Sequence, residues 1–186
     1  VIVATGSLPD PEARQRWLPS AGALPGLDNG GVSTPEEVMR REAKLGDTVI
    51  VLDEGGNWRG VGTAWALAEQ GRRVVIVTPD PYVGKEIART SADGPARARL
   101  ARLGARFVTE HVISRWHGNG ASVRSLLTGK EETIPASALV MATTNIAFDP
   151  FPESFGDKTV HRIGDCAAPR QGPYAFHEGR KVALQI

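Results

Sequence analysis

One stretch constrains the fold of this chain more than any other: Thr48-Val-Ile-Val-Leu-Asp-Glu-Gly-Gly-Asn-Trp-Arg-Gly-Val-Gly-Thr-Ala-Trp-Ala-Leu-Ala-Glu-Gln-Gly-Arg-Arg-Val-Val-Ile-Val-Thr78. Thr48 to Leu52 is a short apolar run rich in β-branched residues, the pattern of a strand buried on both faces. A glycine-rich turn follows, with Gly55, Gly56 and Gly60. Val61, Ala64, Leu67 and Ala68 then recur at helical spacing, and Gly71 stands where the helix should stop. Val74 to Val77 is the second strand. Strand, turn, helix and strand within about 30 residues make a parallel βαβ unit. The expected fold class is therefore α/β, a Rossmann-like parallel sheet of the dinucleotide-binding type.

The glycines have separate physical roles. Gly55 permits the tight turn out of the strand, and Gly60 lets the helix pack close to the sheet. Free N–H groups at the helix start, with their partial positive charge, favour a phosphate. The G-x-G-x-x-G pattern is broken at its middle position by Asn57, and Trp58 and Arg59 follow where small residues are usual. If the turn holds a nucleotide, Asn57 must stand in for the missing glycine, which its tolerance of left-handed backbone angles allows. At the end of the second strand an NAD site wants a carboxylate on the ribose hydroxyls. Thr78 occupies that place, with Asp80 two residues late. The motif thus supports the fold more strongly than an occupied site. Any nucleotide held there should bind weakly, NADPH or ADP in preference to NADH.

With 186 residues the chain is long enough to bury a sizeable core, and its net charge of +1 gives no sign of a nucleic-acid partner. Arg97, Arg99 and Arg102 form a basic run, read as the solvated face of a helix. No apolar stretch approaches the roughly 20 residues that cross a bilayer. The single cysteine, Cys166, excludes an internal disulfide, a CxxC pair and a cysteine-ligated cluster within the chain, which makes a reduced, cytoplasmic setting the default expectation. His111, His117, His161 and His177 show no metal-ligand spacing, so no metal site is expected. Nothing in the sequence points to a catalytic acid, base or nucleophile.

Taken in order, Val1 to Ala4 is a strand that runs into Thr5-Gly6-Ser7. So apolar an edge needs neighbours, and the chain is expected to be a fragment or an excised domain. Leu8 to Gly31, with Pro9, Pro11, Pro19 and Pro25, reads as an extended connector. Thr34-Pro35-Glu36-Glu37 is a sharp helix start with a capping box, and the helix should run to about Lys44. Asp93 is placed to cap another helix, which Gly104 stops. Arg106 to Thr109 is a third strand. His111 to Trp116, Val123 to Thr128 and Glu132 to Ile134 then form an antiparallel meander, with turns at Gly118-Asn119-Gly120 and Gly129-Lys130. Ala138 to Thr143 returns as a buried strand. Val160 to Ile163 is a strand, Gly164-Asp165 a turn, and Tyr174 to Ile186 a helix with Val182, Leu184 and Ile186 among its apolar residues. Asp165 is well placed to accept hydrogen bonds from ligand hydroxyls.

Val-Ile-Val-Ala-Thr-Gly-Ser at 1–7, the interrupted glycine turn, the meander and Ile163-Gly-Asp-Cys-Ala-Ala-Pro-Arg170 together resemble the flavoproteins with two dinucleotide-binding domains. The match is most like the C-terminal portion of the trimethylamine dehydrogenase and 2,4-dienoyl-CoA reductase group. The Gly-Asp-x-x-Ala-Pro-Arg segment, the Ala-x-x-x-Gly-Arg-x-Val-Ala run at 175–183 and the Asp53-Glu-Gly-Gly-Asn-Trp turn carry it. The resemblance implies three parts: residues 1–45 as a remnant of the flavin-side half plus connector, 46–143 as an inserted NAD(P)-type domain, and 144–186 as the return to the flavin-side half. It implies FAD or ADP as ligand in the parent protein, with NADPH as a further ligand. FMN and a 4Fe–4S cluster are expected only in a missing N-terminal barrel of the same polypeptide, the implied partner. Thr5, Gly6, Gly164 and Asp165 match the flavin-side motifs. Gly55, Gly56, Asn57, Gly60 and Thr78 fall on the NAD(P)-side turn. The function implied is a nucleotide-binding region of a flavin-dependent oxidoreductase, inactive in isolation. The alternative is a degenerate domain kept for scaffolding or subunit contact, for which Trp58 and Arg59 argue if they fill the phosphate space. Self-association into a homo-oligomer stays open.

Overall fold

The computed structural model describes residues 1–186, and their contacts divide them into two compact units, Val1–Asp10 with Thr144–Ile186 and Pro11–Thr143. In chain order the elements are β1 (Ile2–Val3), β2 (Ser7–Leu8), β3 (Val32–Ser33), α1 (Pro35–Met39), β4 (Thr48–Asp53), α2 (Trp58–Glu69), β5 (Arg73–Val77), α3 (Asp93–Arg102), β6 (Arg106–Val108), β7 (His111–Trp116), β8 (Gly120–Ser125), β9 (Glu131–Pro135), β10 (Ala138–Ala142), β11 (Ile146–Ala147), β12 (His161–Arg162) and α4 (Gly172–Ala183). Short 3-10 turns lie at Leu27–Asn29, Ile87–Thr90 and Gly164–Cys166.

The larger unit is built on a parallel sheet of order β3-β10-β4-β5-β6. Val49, Ile50, Val51 and Leu52 are all inaccessible to solvent, as the uninterrupted apolar run requires of a central strand. The period of two sends their side chains to opposite faces. Val49, Val51 and Ile76 meet the helices through Val38, Val61, Ala64, Leu67 and Leu100. Ile50, Leu52 and Val77 meet Ile113, Trp116, Ala121, Val123 and Ile134 of the antiparallel sheet β7-β8-β9. The Rossmann-like parallel sheet with its meander is therefore the fold of this unit.

Some boundaries differ from the sequence reading. The first helix ends at Met39 rather than near Lys44. Arg41 turns left-handed at φ 62°, and the amides of Arg41 and Glu42 close back on the carbonyls of Val38 and Glu37 at 3.0 and 2.9 Å. This is a Schellman closure without its usual glycine, so the sequence carried no stop signal. Asp93 does not cap α3. The cap is Ala92, and the Asp93 carboxylate pairs with Arg97 at 2.8 Å. Strand β8 begins at Gly120 instead of Val123, since Gly120 pairs with Pro135 of β9, and an added Cβ there would come 2.8 Å from the Ile134 carbonyl. Glycine serves as a ladder residue here, where a turn was expected. Helix α4 ends at Ala183, with Val182 buried but Leu184 and Ile186 largely exposed.

The proline-rich connector is more than a link. Ala13 and Leu24 belong to the core on the meander side, and Gln15 is only 5% exposed. The Gln15 side chain donates to the Ile113 carbonyl at 2.7 Å and accepts from the Ile113 amide at 2.9 Å. One side-chain amide thus satisfies both backbone groups of Ile113 in β7. Gln15→Leu is expected to destabilise the chain by about 2–4 kcal/mol, since it strands a buried donor and a buried acceptor at about 1–3 kcal/mol each. Urea unfolding checks this, and a loss below about 1 kcal/mol contradicts it.

In the smaller unit, β1 pairs in parallel with β12, Ile2 opposite His161 and Val3 opposite Arg162. The expected adjacency of the first strand and the 160–163 segment is therefore found. The β2 strand pairs antiparallel with β11. No helix of either unit is long and apolar enough to cross a membrane.

Candidate functional site

Parallel strands deliver their carboxyl ends to the same side, and in α/β sheets that side is where ligands bind. The β1–β12 pair does so for Thr5-Gly6-Ser7 and Gly164-Asp165. Ser7 donates its hydroxyl to Asp165 Oδ2 at 3.0 Å, and the Asn145 amide donates to the same Ser7 oxygen at 3.1 Å. The Arg170 amide reaches Asp165 Oδ1 at 3.3 Å. Gly6 and Gly164 both take positive φ, 81° and 69°. An added Cβ at Gly6 would meet nothing within 4 Å, so its glycine is required by backbone angle and not by crowding. The Gly164 amide donates to Glu178 Oε2 at 2.7 Å, and Arg170 also pairs with that carboxylate. Both contacts hold the Glu178 carboxyl below its ordinary range, the Gly164 hydrogen bond first. Thr5 is turned elsewhere, its hydroxyl donating to the Phe148 carbonyl. Cys166 is buried with its thiol 3.1 Å from the Val3 and Ile163 carbonyls, a packing role.

Asn145 and Glu178 were not singled out from sequence. Glu178 lies inside the Ala-x-x-x-Gly-Arg run, which is the signal that leads to it. Asn145 has none. Its Oδ1 is buried and has no hydrogen-bond partner.

In the larger unit the central turn has a different character. Gly56 takes the left-handed angle, φ 59°, while Asn57 is extended at φ −109° and caps α2 by accepting from the Arg59 amide at 2.9 Å. Asn57 thus does not act as a left-handed substitute for glycine. Trp58 and Arg59 are held by solvent and by neighbouring groups. Trp58 is half exposed, and Arg59 grips Glu36 through Nε at 2.6 Å and Nη2 at 2.9 Å while donating to the Thr143 carbonyl. Thr78 is fully buried, and its hydroxyl accepts the Asp80 amide at 3.3 Å.

What crowds the turn is carboxylate. An added Cβ at Gly60 would lie 2.3 Å from Asp53 Oδ1, so the glycine makes room for that side chain. Asp53, Glu54 and Asp80 are 0%, 1% and 2% exposed. The Gly56 amide donates to Asp53 Oδ1 at 2.9 Å, and the Arg16 amide donates to Glu54 Oε2 at 3.2 Å. Asp53 Oδ2 and Glu54 Oε1 have no partner. Burial pushes Asp53 up to about 7 against the Gly56 hydrogen bond, with the neighbouring Asp80 charge adding to the rise. Burial likewise pushes Glu54 up to about 7. The Gly56 carbonyl accepts from the Glu86 and Ile87 amides at 3.0 and 3.3 Å, so the segment after β5 closes over the turn. Three buried acids and a closed flap do not fit a pyrophosphate. No group of three or more His, Cys, Asp or Glu side chains is arranged to hold a metal ion.

Residues 1–147 match the pyridine nucleotide-disulphide oxidoreductase family. The chain belongs to that family. Its fold is similar to a 6-hydroxypseudooxynicotine amine oxidase (HisD) from Pseudomonas geniculata N1, with TM-score 0.89 and 28% identity over 98% of this chain and 28% of that one. It is similar also to a histamine dehydrogenase from Rhizobium sp. 4-9, with TM-score 0.88 and 25% identity over 100% of this chain and 30% of that one. A probable N-methylproline demethylase of Rhizobium meliloti (strain 1021) is 32% identical over 87 residues, 47% of this chain and 11% of that protein. The chain therefore spans less than a third of the length of these relatives. They include flavoproteins of the trimethylamine dehydrogenase group that the sequence resembles, and the chain has the Rossmann-type fold of the FAD/NAD(P)-binding domains of such oxidoreductases.

Proposed function

We propose that this chain is the C-terminal nucleotide-binding region of a longer flavin-dependent oxidoreductase of the amine-dehydrogenase kind, and that its smaller unit holds an ADP or FAD moiety. The observation that carries the reading is the parallel β1–β12 pair, whose carboxyl ends bring Gly6, Ser7, Gly164 and Asp165 together around one carboxylate. Asp165 accepts from Ser7, and both residues suit the hydroxyls of a ribose or ribityl chain. Ser7 and Asn145 position it, while Glu178 pins the Gly164 amide. Thr5 is a backbone contributor in this reading, since its hydroxyl is spent on Phe148. When bound, a flavin supplies the redox chemistry, and these residues bind and orient it. FMN and an iron–sulfur cluster belong to the upstream barrel, which is the partner of this region within one polypeptide.

The relatives' lengths support a longer parent protein. A second reading, a scaffold without ligand, is favoured for the larger unit alone by the carboxylates that fill its turn. The test is made on the complete polypeptide. Heat release followed by chromatography should yield about one adenine nucleotide per chain, and Asp165→Ala should lower that retention about tenfold. Release of no adenine nucleotide from well-folded complete protein leaves the scaffold reading standing for both units.

A further inference from the structure

The larger unit carries an arrangement that the flavin-side reading does not use and on which it does not depend. Asp80 lies two residues beyond Thr78, just past the place where a dinucleotide-binding unit puts the acid for the ribose diol. Its carboxylate is not available for that task. Oδ2 is 2.7 Å from Arg16 Nη2, and Oδ1 is 3.0 Å from Lys85 Nζ. The acid is buried, whereas the side chains of the two cations are 40% and 53% exposed. Oδ2 is also only 3.4 Å from where a Cβ on Gly56 would stand, so the carboxylate sits against the glycine turn itself. An arginine fork and a lysine point charge at a glycine turn are the side chains that bind phosphate. Here the anion between them is supplied by the chain.

We propose that Arg16 and Lys85 form a phosphate-binding pair whose site is filled by the Asp80 carboxylate, so that Asp80 excludes nucleoside diphosphates from the central turn. Asp80 acts as a specificity-determining residue by occupying the site as an anion. The other charged groups facing the pair are Asp53 and Glu54 from β4 and its exit, with Glu86 drawn away by Arg89 at 3.1 Å. Arg16 also pairs through Nε with Glu54 at 3.3 Å, so neutralising Asp80 leaves Lys85 without its carboxylate and the Nη2 end of Arg16 free of its own.

Calorimetric titration of the 186-residue chain tests this with three probes, inorganic pyrophosphate, ADP and adenosine. At about pH 6, where Asp53 and Glu54 keep their protons, Asp80→Asn should bind pyrophosphate and ADP at least about tenfold tighter than wild type. Adenosine should bind no better, and adding Lys85→Gln should abolish the gain. The gain should also shrink as salt is raised. A folded Asp80→Asn chain with no gain overturns the proposal. So does an equal gain for adenosine, which would mean that the substitution merely opened space. Asp80→Ser serves if the amide does not fit, with circular dichroism reporting the fold of each variant. Wild type gives an independent reading, because its pair is already filled. Pyrophosphate should raise its melting temperature no more than it raises that of Lys85→Gln, whose pair is broken, and a larger rise in wild type would refute the internal-anion assignment.

Discussion

Asp53→Asn is expected to make the chain more stable than wild type at about pH 8 by about 2 kcal/mol, and no more stable at about pH 5. Asp53 is completely buried at the end of β4 with one carboxylate oxygen unpartnered, and burial is the main reason its pKa rises from 3.8 to about 7. Between about pH 4 and about pH 7 the folded chain holds a proton that the unfolded chain has released, so this group's contribution makes stability fall as pH rises through that window and level off above it. The full shift corresponds to about 4 kcal/mol at about 1.4 kcal/mol per pKa unit. Coupling to Glu54 and the unpartnered amide donor that Asn introduces reduce the net gain. Asn retains an oxygen for the Gly56 amide, so it imitates the protonated acid and cannot ionise. Urea unfolding of both proteins across this pH range measures the difference. A gap that does not widen with pH, or that widens toward acid, contradicts the assignment.

The parts of the fold that could be read from sequence are those encoded locally. The βαβ unit follows from two β-branched runs flanking a helical period. The Thr34–Glu37 capping box is present with both of its reciprocal hydrogen bonds. The meander follows from its turn residues, although the second strand slid toward its glycine. The end of α1 was not legible because an arginine, Arg41, took the left-handed angle that glycine usually marks. The central site was misread for a different reason. Asn57, Trp58 and Arg59 stood out as departures from a pattern, yet their side chains are satisfied by the helix start, solvent and Glu36. The groups that close the turn are Asp53, Glu54 and Asp80, and the arginine that joins the last two is Arg16 in the connector. No period or spacing links Arg16 to Glu54 across 38 positions, so only the folded chain brings them together. Gln15 escaped notice for the same reason, since its partner Ile113 is 98 residues away. The flavin-side residues were legible through family motifs, while the Asn145 contact with Ser7 spans 138 residues and leaves no local mark.

Gly60→Ala should be the most damaging single methyl addition in the central unit, destabilising the chain by about 3 kcal/mol or more. Its new Cβ would lie 2.3 Å from Asp53 Oδ1, 2.6 Å from Cγ and 3.1 Å from Cβ. Neither side can yield cheaply. Gly60 is in the first turn of α2, whose Val61, Ala64 and Leu67 are wholly buried against the sheet. Asp53 is fixed in β4 opposite Ala142 of β10, and its carboxyl is held by the Gly56 amide. Gly62→Ala, two positions along the same helix, separates this clash from any general intolerance of alanine. Its Cβ would find only the Trp58 ring at 3.9 Å, so it should be neutral or stabilise the chain by up to about 1 kcal/mol through helix propensity. The cause of the damage at Gly60 is then isolated by a double-mutant cycle with Asp53→Ala. That change removes the two closest atoms, and although it strands the Gly56 amide it should make the second substitution, Gly60→Ala, much milder. The expected coupling is at least about 1.5 kcal/mol in favour of the double variant. Additive losses would show that the helix, and not the Asp53 carboxyl, is what demands glycine at this position.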